Sequence, residues 1–295
     1  MRLTVELSKL LAFGWVLLFC SDSCFPAEPL PRDDDQTARG IPDKLVVLTF
    51  DDSAKSHFTI VRPLLLQYKF GATFFITEGF DFKSNKKDYM TWKEIKQLHD
   101  DGFEIGNHTR DHLGISERTV TRFSEQLQGI EDKCKEHGIP RPVTFAWPGN
   151  ATTEKGFSIL KKHGIQFARR GGAPEYPYEQ GRGFAFEPGL DHPLLLPSAG
   201  DARPSWKLND FIRAAEQAKN GKIAILQFHG APDTAHSWVS TPRDNFKAFM
   251  KYLVVNKYQV IALRDLAQYR GTLKAPEDPQ KIIKSRKEKL AANSK

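Results

Sequence analysis

Three short segments of this chain hold residue types that hydrolytic chemistry needs. Asp51 and Asp52 stand side by side directly after the apolar run LVVLTF at 45–50. Adjacent carboxylates behind a buried strand are costly unless they are solvated or meet cations. Successive side chains at a strand end point opposite ways, so one carboxylate can ligate a metal while its neighbour faces a bound water. His108 and His112 are four residues apart. They can address one ion if the segment between them is a helical turn, and neutral imidazole suits zinc and neighbouring divalent metals. Two histidines and one aspartate make a three-ligand site with an open position, as catalytic zinc requires. Such an ion lowers the pKa of its water and polarises a carbonyl, and the second carboxylate can then act as general base. His229 ends another apolar run and is the candidate acid for the leaving group. Each residue also has a plainer reading: a solvated turn or helix cap for the aspartates, a surface pair for His108 and His112, a structural imidazole for His229.

The elements that must position these residues alternate along the chain. Strand-like runs fall at 45–50, 72–77, 103–106, 143–147, 166–169, 222–228 and 258–263. Helical spacing falls between them, at 56–68, 91–101, 116–137, 154–163, 208–219 and after Thr241-Pro242, where Thr241 is the expected cap. Thr91 and Glu94 have capping-box spacing. This alternation implies a parallel α/β fold, and its spacing fits an open doubly wound sheet as well as a closed barrel. The stretch 171–205 is rich in Gly and Pro, has no clear helix, and reads as a long crossover or inserted hairpin. In parallel α/β folds functional groups gather at the carboxyl ends of strands. Those ends carry Asp51-Asp52, the segment from Asn107 to His112, Trp147-Pro148-Gly149-Asn150, and His229.

The 295 residues are 40% apolar and 27% charged, enough for a sizeable core, with a formal net charge of +7. That charge suits an acidic polymer, an anionic membrane or nucleic acid equally. The chain has no basic stripe interleaved with aromatics, so no nucleic-acid partner is expected. Arg2 and Lys9 precede an apolar run from 10 to 20, followed by small residues and Pro29 and Pro31. This is a leader pattern, shorter than the roughly 20 residues a spanning helix needs. The expected organisation is a signal peptide at 1–27, a linker at 28–44, a catalytic domain at 45–270 and a charged, solvated tail at 271–295. A leader implies a secreted, periplasmic or cell-surface protein, touching a membrane only if the leader stays uncleaved. Cys20 and Cys24 fall at the edge of the leader, and Cys134 alone cannot form an internal disulfide.

Taken together, the segments resemble the polysaccharide deacetylases of carbohydrate esterase family 4, the NodB homology domain, over about residues 45–266. The first motif, TFDDG, stands here as Thr49-Phe50-Asp51-Asp52-Ser53; the second, H-[ST]-x-x-[HD], as His108-Thr109-Arg110-Asp111-His112. The resemblance implies a distorted (β/α) barrel of seven or eight mostly parallel strands. It implies Asp51 as base, Asp52, His108 and His112 as ligands of one divalent ion (zinc, with cobalt or nickel as alternatives), and His229 as acid. The substrate it implies is a polysaccharide or oligosaccharide whose N-acetyl groups are removed, with a backbone N–H near Gly149, beside Trp147 and Pro148, serving the oxyanion. Alternative readings are an O-acetyl esterase or small-molecule amidohydrolase on the same fold, or a non-catalytic glycan-binding relic. Three departures stand out. Ser53 replaces a Gly, Ala146 stands where the family carries a supporting Arg, and Gln227 stands where Leu is usual. Arg169 or Arg170 is expected to supply the missing charge, with Arg170 carried as the substrate-site candidate. Trp147, Trp206 and Trp238 are candidate sugar platforms.

Overall fold

The computed structural model describes residues 40–272 and 274–293. The expected leader, residues 28–39 of the expected linker, and Cys20 and Cys24 lie outside the described residues. β1 (Leu45–Phe50) is buried along its whole length, as a strand covered on both faces must be. A π-helical turn (His57–Val61) runs into α1 (Arg62–Tyr68). β2 (Thr73–Ile76) precedes α2 (Trp92–Asp100), whose capping box joins Thr91 and Glu94 in both directions. β3 (Glu104–Asn107) leads to α3 (Phe123–Glu136), which begins later than its periodicity suggests, after a 3-10 turn at Val120–Arg122. β4 (Thr144–Ala146), α4 (Lys155–Lys162) and β5 (Phe167–Arg169) follow. After the long crossover come β6 (Gly200–Asp201), α5 (Leu208–Ala215) and β7 (Ala224–Phe228). α6 (Arg243–Val255), β8 (Gln259–Ile261) and α7 (Lys281–Asn293) complete the order. Thr241 does not cap α6. Pro242 precedes its first residue, and the Thr241 hydroxyl is buried without a partner.

Every strand pairing is parallel, in the order β5-β4-β3-β2-β1-β7-β6. β1 also pairs with β8 over Leu45–Val47, while β2 joins it at Thr49 and Phe50. The crossover closes the sheet. Leu196 bridges Arg169 of β5 in parallel; its N–H donates to Ala168 and its carbonyl accepts from Arg170, both at 2.8 Å. The segment entering β6 thus stitches the two sheet edges together, and the result is a distorted (β/α) barrel.

Strand alternation sorts the core. Val46, Leu48 and Phe50 face the helices, where Phe50 stacks on Phe74 and Phe228. Leu45 and Val47 join Phe75, Phe167, Ile225 and Leu196 in a second apolar cluster. Two residues further along the same face come Arg169 and Gln227, and four residues beyond Val47 comes Asp51, so the site lies above that cluster. At the other end of the strands buried Glu104 accepts from Thr73 (2.6 Å), Thr144 (2.7 Å) and the Arg264 N–H (2.8 Å). Cys134 packs inside α3, where burial pushes its thiol up to about 12, so it is inert at neutral pH. Among the described residues no helix is long and apolar enough to cross a membrane.

From Lys281 onward the expectation of a solvated tail is corrected. α7 docks on the crossover through buried Arg286, which donates to both oxygens of Asp191 (2.7 and 2.8 Å) and to Glu187 (3.0 Å). The charge that made this segment read as solvated is, at this residue, the docking group.

Candidate active site

Asp51 continues the inward face of β1, its N–H donating to the Phe228 carbonyl at 2.9 Å. The backbone then reverses through two left-handed residues, Asp52 (φ 71°) and Ser53 (φ 57°). Glycine adopts that conformation at no steric cost. Ser53 compensates with its hydroxyl, which donates to the Thr77 carbonyl (2.8 Å) and accepts from the Thr77 N–H (3.0 Å). The turn therefore keeps its shape without the glycine.

That reversal aims Asp52 at the histidine pair. Its Oδ1 lies 3.3 Å from Nε2 of His108 and 3.3 Å from Nε2 of His112. The segment between the histidines is not a helical turn: Thr109 (φ 60°) and His112 (φ 53°) are left-handed and bend it. It is pinned from outside by Asn107, which accepts from the Thr109 N–H, and by Thr77, which donates to the Arg110 carbonyl. His108 Nδ1 stands 2.8 Å from the Ala146 carbonyl. Donation there leaves the Nε2 lone pair free, as a metal ligand needs.

The three donor atoms lie within 4.8 Å of one another. Ligands about 2.0–2.1 Å from one tetrahedral centre stand roughly 3.3 Å apart, which matches both Asp52 contacts. Asp52 Oδ1 is buried and has no hydrogen-bond partner. Burial alone would raise the Asp52 carboxyl, but the neighbouring imidazoles of His108, His112 and His229 hold it well below the usual range. An ionised, buried, unsatisfied oxygen facing two imidazole lone pairs fits a single divalent cation, and no other grouping of this kind occurs among the described residues.

Asp51, beside it, is held differently. Arg169 Nη2 donates to both of its oxygens, to Oδ2 at 2.6 Å, and Gln227 Nε2 donates to Oδ2 at 3.1 Å. Of the two candidate arginines it is Arg169 that faces Asp51. The assignment of Arg170 to the substrate site is corrected. Arg170 points the other way along the strand end and forks onto Glu175 (2.7 and 2.8 Å), outside the pocket. Gln227 also lines the pocket and is held between Asp51 and Ser198.

His229 brings a third carboxylate into view. Its Nε2 is 3.7 Å from Asp52 Oδ2 and its Nδ1 is 3.7 Å from Asp201 Oδ1. Asp201, on β6, escaped the sequence reading. Arg203 holds its second oxygen at 2.5 Å, while Oδ1 and His229 Nδ1 both lack partners. Burial pushes the Asp201 carboxyl up, against the pull of His229 and Arg203. Its signal was present. Asp201 ends an apolar run (Leu194 to Leu196, Ala199), as Asp51 does, but Pro197 and Gly200 disguise the strand.

Trp147, Gly149 and Asn150 line the pocket with Asp51, Asp52, His108, His112 and His229. Pro148 is buried and does not line it. Gly149 has φ 59°, and a Cβ there would meet nothing within 4 Å, so the wall beside it is open. Trp206 is no platform: it is buried and packs against Gly200. Trp238 and His236 do line the pocket.

Comparison with known proteins agrees with this arrangement. Residues 38–168 match the family model described as polysaccharide deacetylase. The chain is 32% identical over 125 residues to a peptidoglycan-N-acetylglucosamine deacetylase of Bacillus cereus, covering 42% of this chain and 55% of that one. It is 30% identical over 124 residues to a chitooligosaccharide deacetylase of Azorhizobium caulinodans, covering 41% and 55%. The chain thus spans about half the length of these relatives. Among solved structures, a family 4 acetyl xylan esterase from Clostridium thermocellum in complex with a cobalt ion superposes with TM-score 0.52 at 19% identity, covering 80% of this chain and 95% of that one. The Xyl-CE4 domain of a xylanase from the hindgut metagenome of Trinervitermes trinervoides gives 0.53 at 17%, covering 79% and 95%. At such identities these two speak to the fold alone. Sequence match, barrel and motif positions agree: over residues 38–168 the chain is similar to the polysaccharide deacetylase family.

Proposed function

We propose that this protein is a metal-dependent hydrolase that removes N-acetyl groups from amino sugars of a cell-wall or extracellular polysaccharide. The observation that carries the reading is the buried, partnerless Asp52 Oδ1, set 3.3 Å from two imidazole nitrogens. Asp52, His108 and His112 would hold one divalent ion, zinc with cobalt or nickel as alternatives. Bound there, it supplies Lewis acidity toward a carbonyl and a lowered pKa for water.

The chain's own groups do the rest. Asp51, oriented by Arg169 and Gln227, takes a proton from the water whose oxygen attacks the acetyl carbon. Gly149 is in the pocket wall, and a backbone N–H there would serve the developing oxyanion. His229 gives its proton to the sugar nitrogen as the C–N bond breaks, and Asp201 orients the ring from the Nδ1 side. Acetate and a free amine leave. Apo distances of 3.7 Å shorten in many catalytic pairs once substrate is bound.

N-deacetylation is favoured over ester cleavage because the two curated relatives are by name deacetylases of peptidoglycan N-acetylglucosamine and of chitooligosaccharide. A polymer outside the cytoplasm also accords with the leader pattern at 1–27. The test is metal analysis followed by acetate release from chitin oligomers, peptidoglycan and acetylated xylan. Release from the first two that is abolished by chelator and restored by zinc or cobalt is expected. Chelator-insensitive activity, or release from xylan alone, overturns the proposal.

A further inference from the structure

Two groups that the proposed reaction needs come from neighbouring strand ends. Arg169, which holds Asp51, is the last residue of β5. Gly149, in the pocket wall, lies in the loop that follows β4. The β4–β5 ladder keeps the two ends together as far as the Trp147 N–H, which donates to the Arg169 carbonyl at 2.9 Å. Past that bond the chain leaves the sheet through left-handed Gly149 (φ 59°) and Asn150 (φ 57°).

Asn150 reaches back across the gap. Its Oδ1 accepts from the N–H of Gly171, beyond Arg169 on the other strand end, at 2.6 Å. The approach leaves no room for a side chain at 171: a Cβ there would stand 2.8 Å from Asn150 Nδ2 and 2.9 Å from its Cγ. A left-handed conformation is strained for every residue but glycine, though asparagine tolerates it better than most. The chain accepts that strain at 150, and the side chain it places there makes a bond that glycine cannot. Arg169 has reason to depend on this tie. Its Nε is buried without a partner, and the Phe75 ring lies 5.4 Å from its guanidinium. Little besides packing and the backbone of the strand end therefore aims it at Asp51.

We propose that Asn150 is a positioning residue: its amide spans the gap between the loops after β4 and β5 and sets the Gly149 backbone, whose N–H would serve the oxyanion, against the Arg169–Asp51 pair. It acts through these groups and not on the sugar. A small misplacement of reacting groups lowers turnover without weakening the binding of substrate. This rests on the deacetylase reading above.

The test uses N-acetylated chitotetraose and p-nitrophenyl acetate, whose acetyl group carries no sugar, at equal zinc loading. Asn150→Gly keeps the left-handed turn and removes the amide. It should lower kcat by about tenfold or more on both substrates while KM stays within about threefold. Relief of strain offsets the lost bond, so the unfolding midpoint should hardly move. Asn150→Asp keeps an accepting oxygen and should recover most of the loss. Gly171→Ala should slow the wild type in the same way, yet add little to Asn150→Gly, where its Cβ has room. A loss confined to the tetramer or carried by KM makes Asn150 a sugar contact, and an Asp variant as slow as the Gly variant makes its NH₂ the working group; either overturns the proposal. So does a lowered midpoint with kcat kept. An arm without turnover reads the bond itself. The Gly171 amide should exchange with deuterium about tenfold faster in Asn150→Gly than in the wild type or Asn150→Asp, as for an amide that has lost its acceptor. Equal exchange overturns the proposal. The deacetylase reading fails separately, by zinc-loaded wild-type protein leaving the tetramer intact.

Discussion

Arg169 and Arg170 are consecutive, share a strand end, and are equally buried, yet they serve two different regions. Arg169 faces the barrel mouth and holds Asp51. Arg170 faces the crossover and holds Glu175, which lies 3.7 Å from Arg286 of α7; Arg286 in turn grips Asp191. In the second region the carboxylates are saturated: both oxygens of Glu175 and both of Asp191 accept hydrogen bonds. In the first they are not. Among the described residues, the buried carboxylate oxygens without a partner belong to Asp52 and Asp201, both beside His229. A buried charge is tolerated only with compensation, so the difference separates charges that finish a scaffold from charges held open for something that binds.

Breaking the open region should cost activity. Asp51→Asn keeps the shape but cannot take a proton, and it leaves Arg169 one accepting oxygen in place of two. A fall in kcat of about 10²–10⁴-fold is expected, read by acetate release per folded molecule, alongside some loss of stability from the neutralised buried pair. Breaking the saturated region should cost stability without the loss of kcat. Arg286→Met strands buried Asp191, and a loss of roughly 3–5 kcal/mol in urea unfolding is expected for a disrupted buried pair. The folded fraction should keep kcat within a few-fold. If Arg286→Met removes turnover without shifting the unfolding midpoint, the division between the regions is wrong.

A pH test sharpens the comparison from beneath the site. His57 donates from Nε2 to the His229 carbonyl at 3.2 Å, and its Nδ1 has no partner. Burial lowers its pKa to about 4. The unfolded chain takes up that proton near 6.5, before the folded one can. Stability contributed by neutral His57 is therefore full above pH 6.5 and is lost as pH falls toward 4. Between pH 7 and 4.5 the loss is roughly 2–3 kcal/mol. His57→Gln should flatten the urea-versus-pH curve by about that amount; an unchanged slope would mean that His57 titrates normally. The smallest effect is expected at Ser53→Gly. Relief of left-handed strain offsets two lost hydrogen bonds to Thr77, so stability should move by no more than about 1 kcal/mol.

Much of this was legible in the sequence because barrel strands announce their ends. An apolar run that stops at a charge gave Asp51, Asp52 and His229, and the strand–helix rhythm gave the parallel sheet. The choice between Arg169 and Arg170 was also within reach. Phe167 faces the inner cluster, and a period of two then sends Arg169 inward and Arg170 away. Asp201 was hidden because its strand is two residues long and pairing, not composition, makes it a strand. The docking of α7 was hidden for a different reason. Arg286 looks like any other cation in a basic tail until the acidic crossover it grips is folded beneath it.

The stitch at Leu196 carries a last implication. Arg169, which holds Asp51, the proposed base, lies on one bank of that bridge. Asp201, which faces His229, the proposed acid, lies a few positions along the other bank. The gap between the two halves of the proposed proton relay is therefore gauged by Leu196's pair of backbone hydrogen bonds, together with Ala168 donating to the Pro193 carbonyl (2.9 Å) and the Ser198 hydroxyl donating to the Arg170 carbonyl (2.8 Å). Loosening that clasp would detune both halves together while leaving every reacting side chain in place.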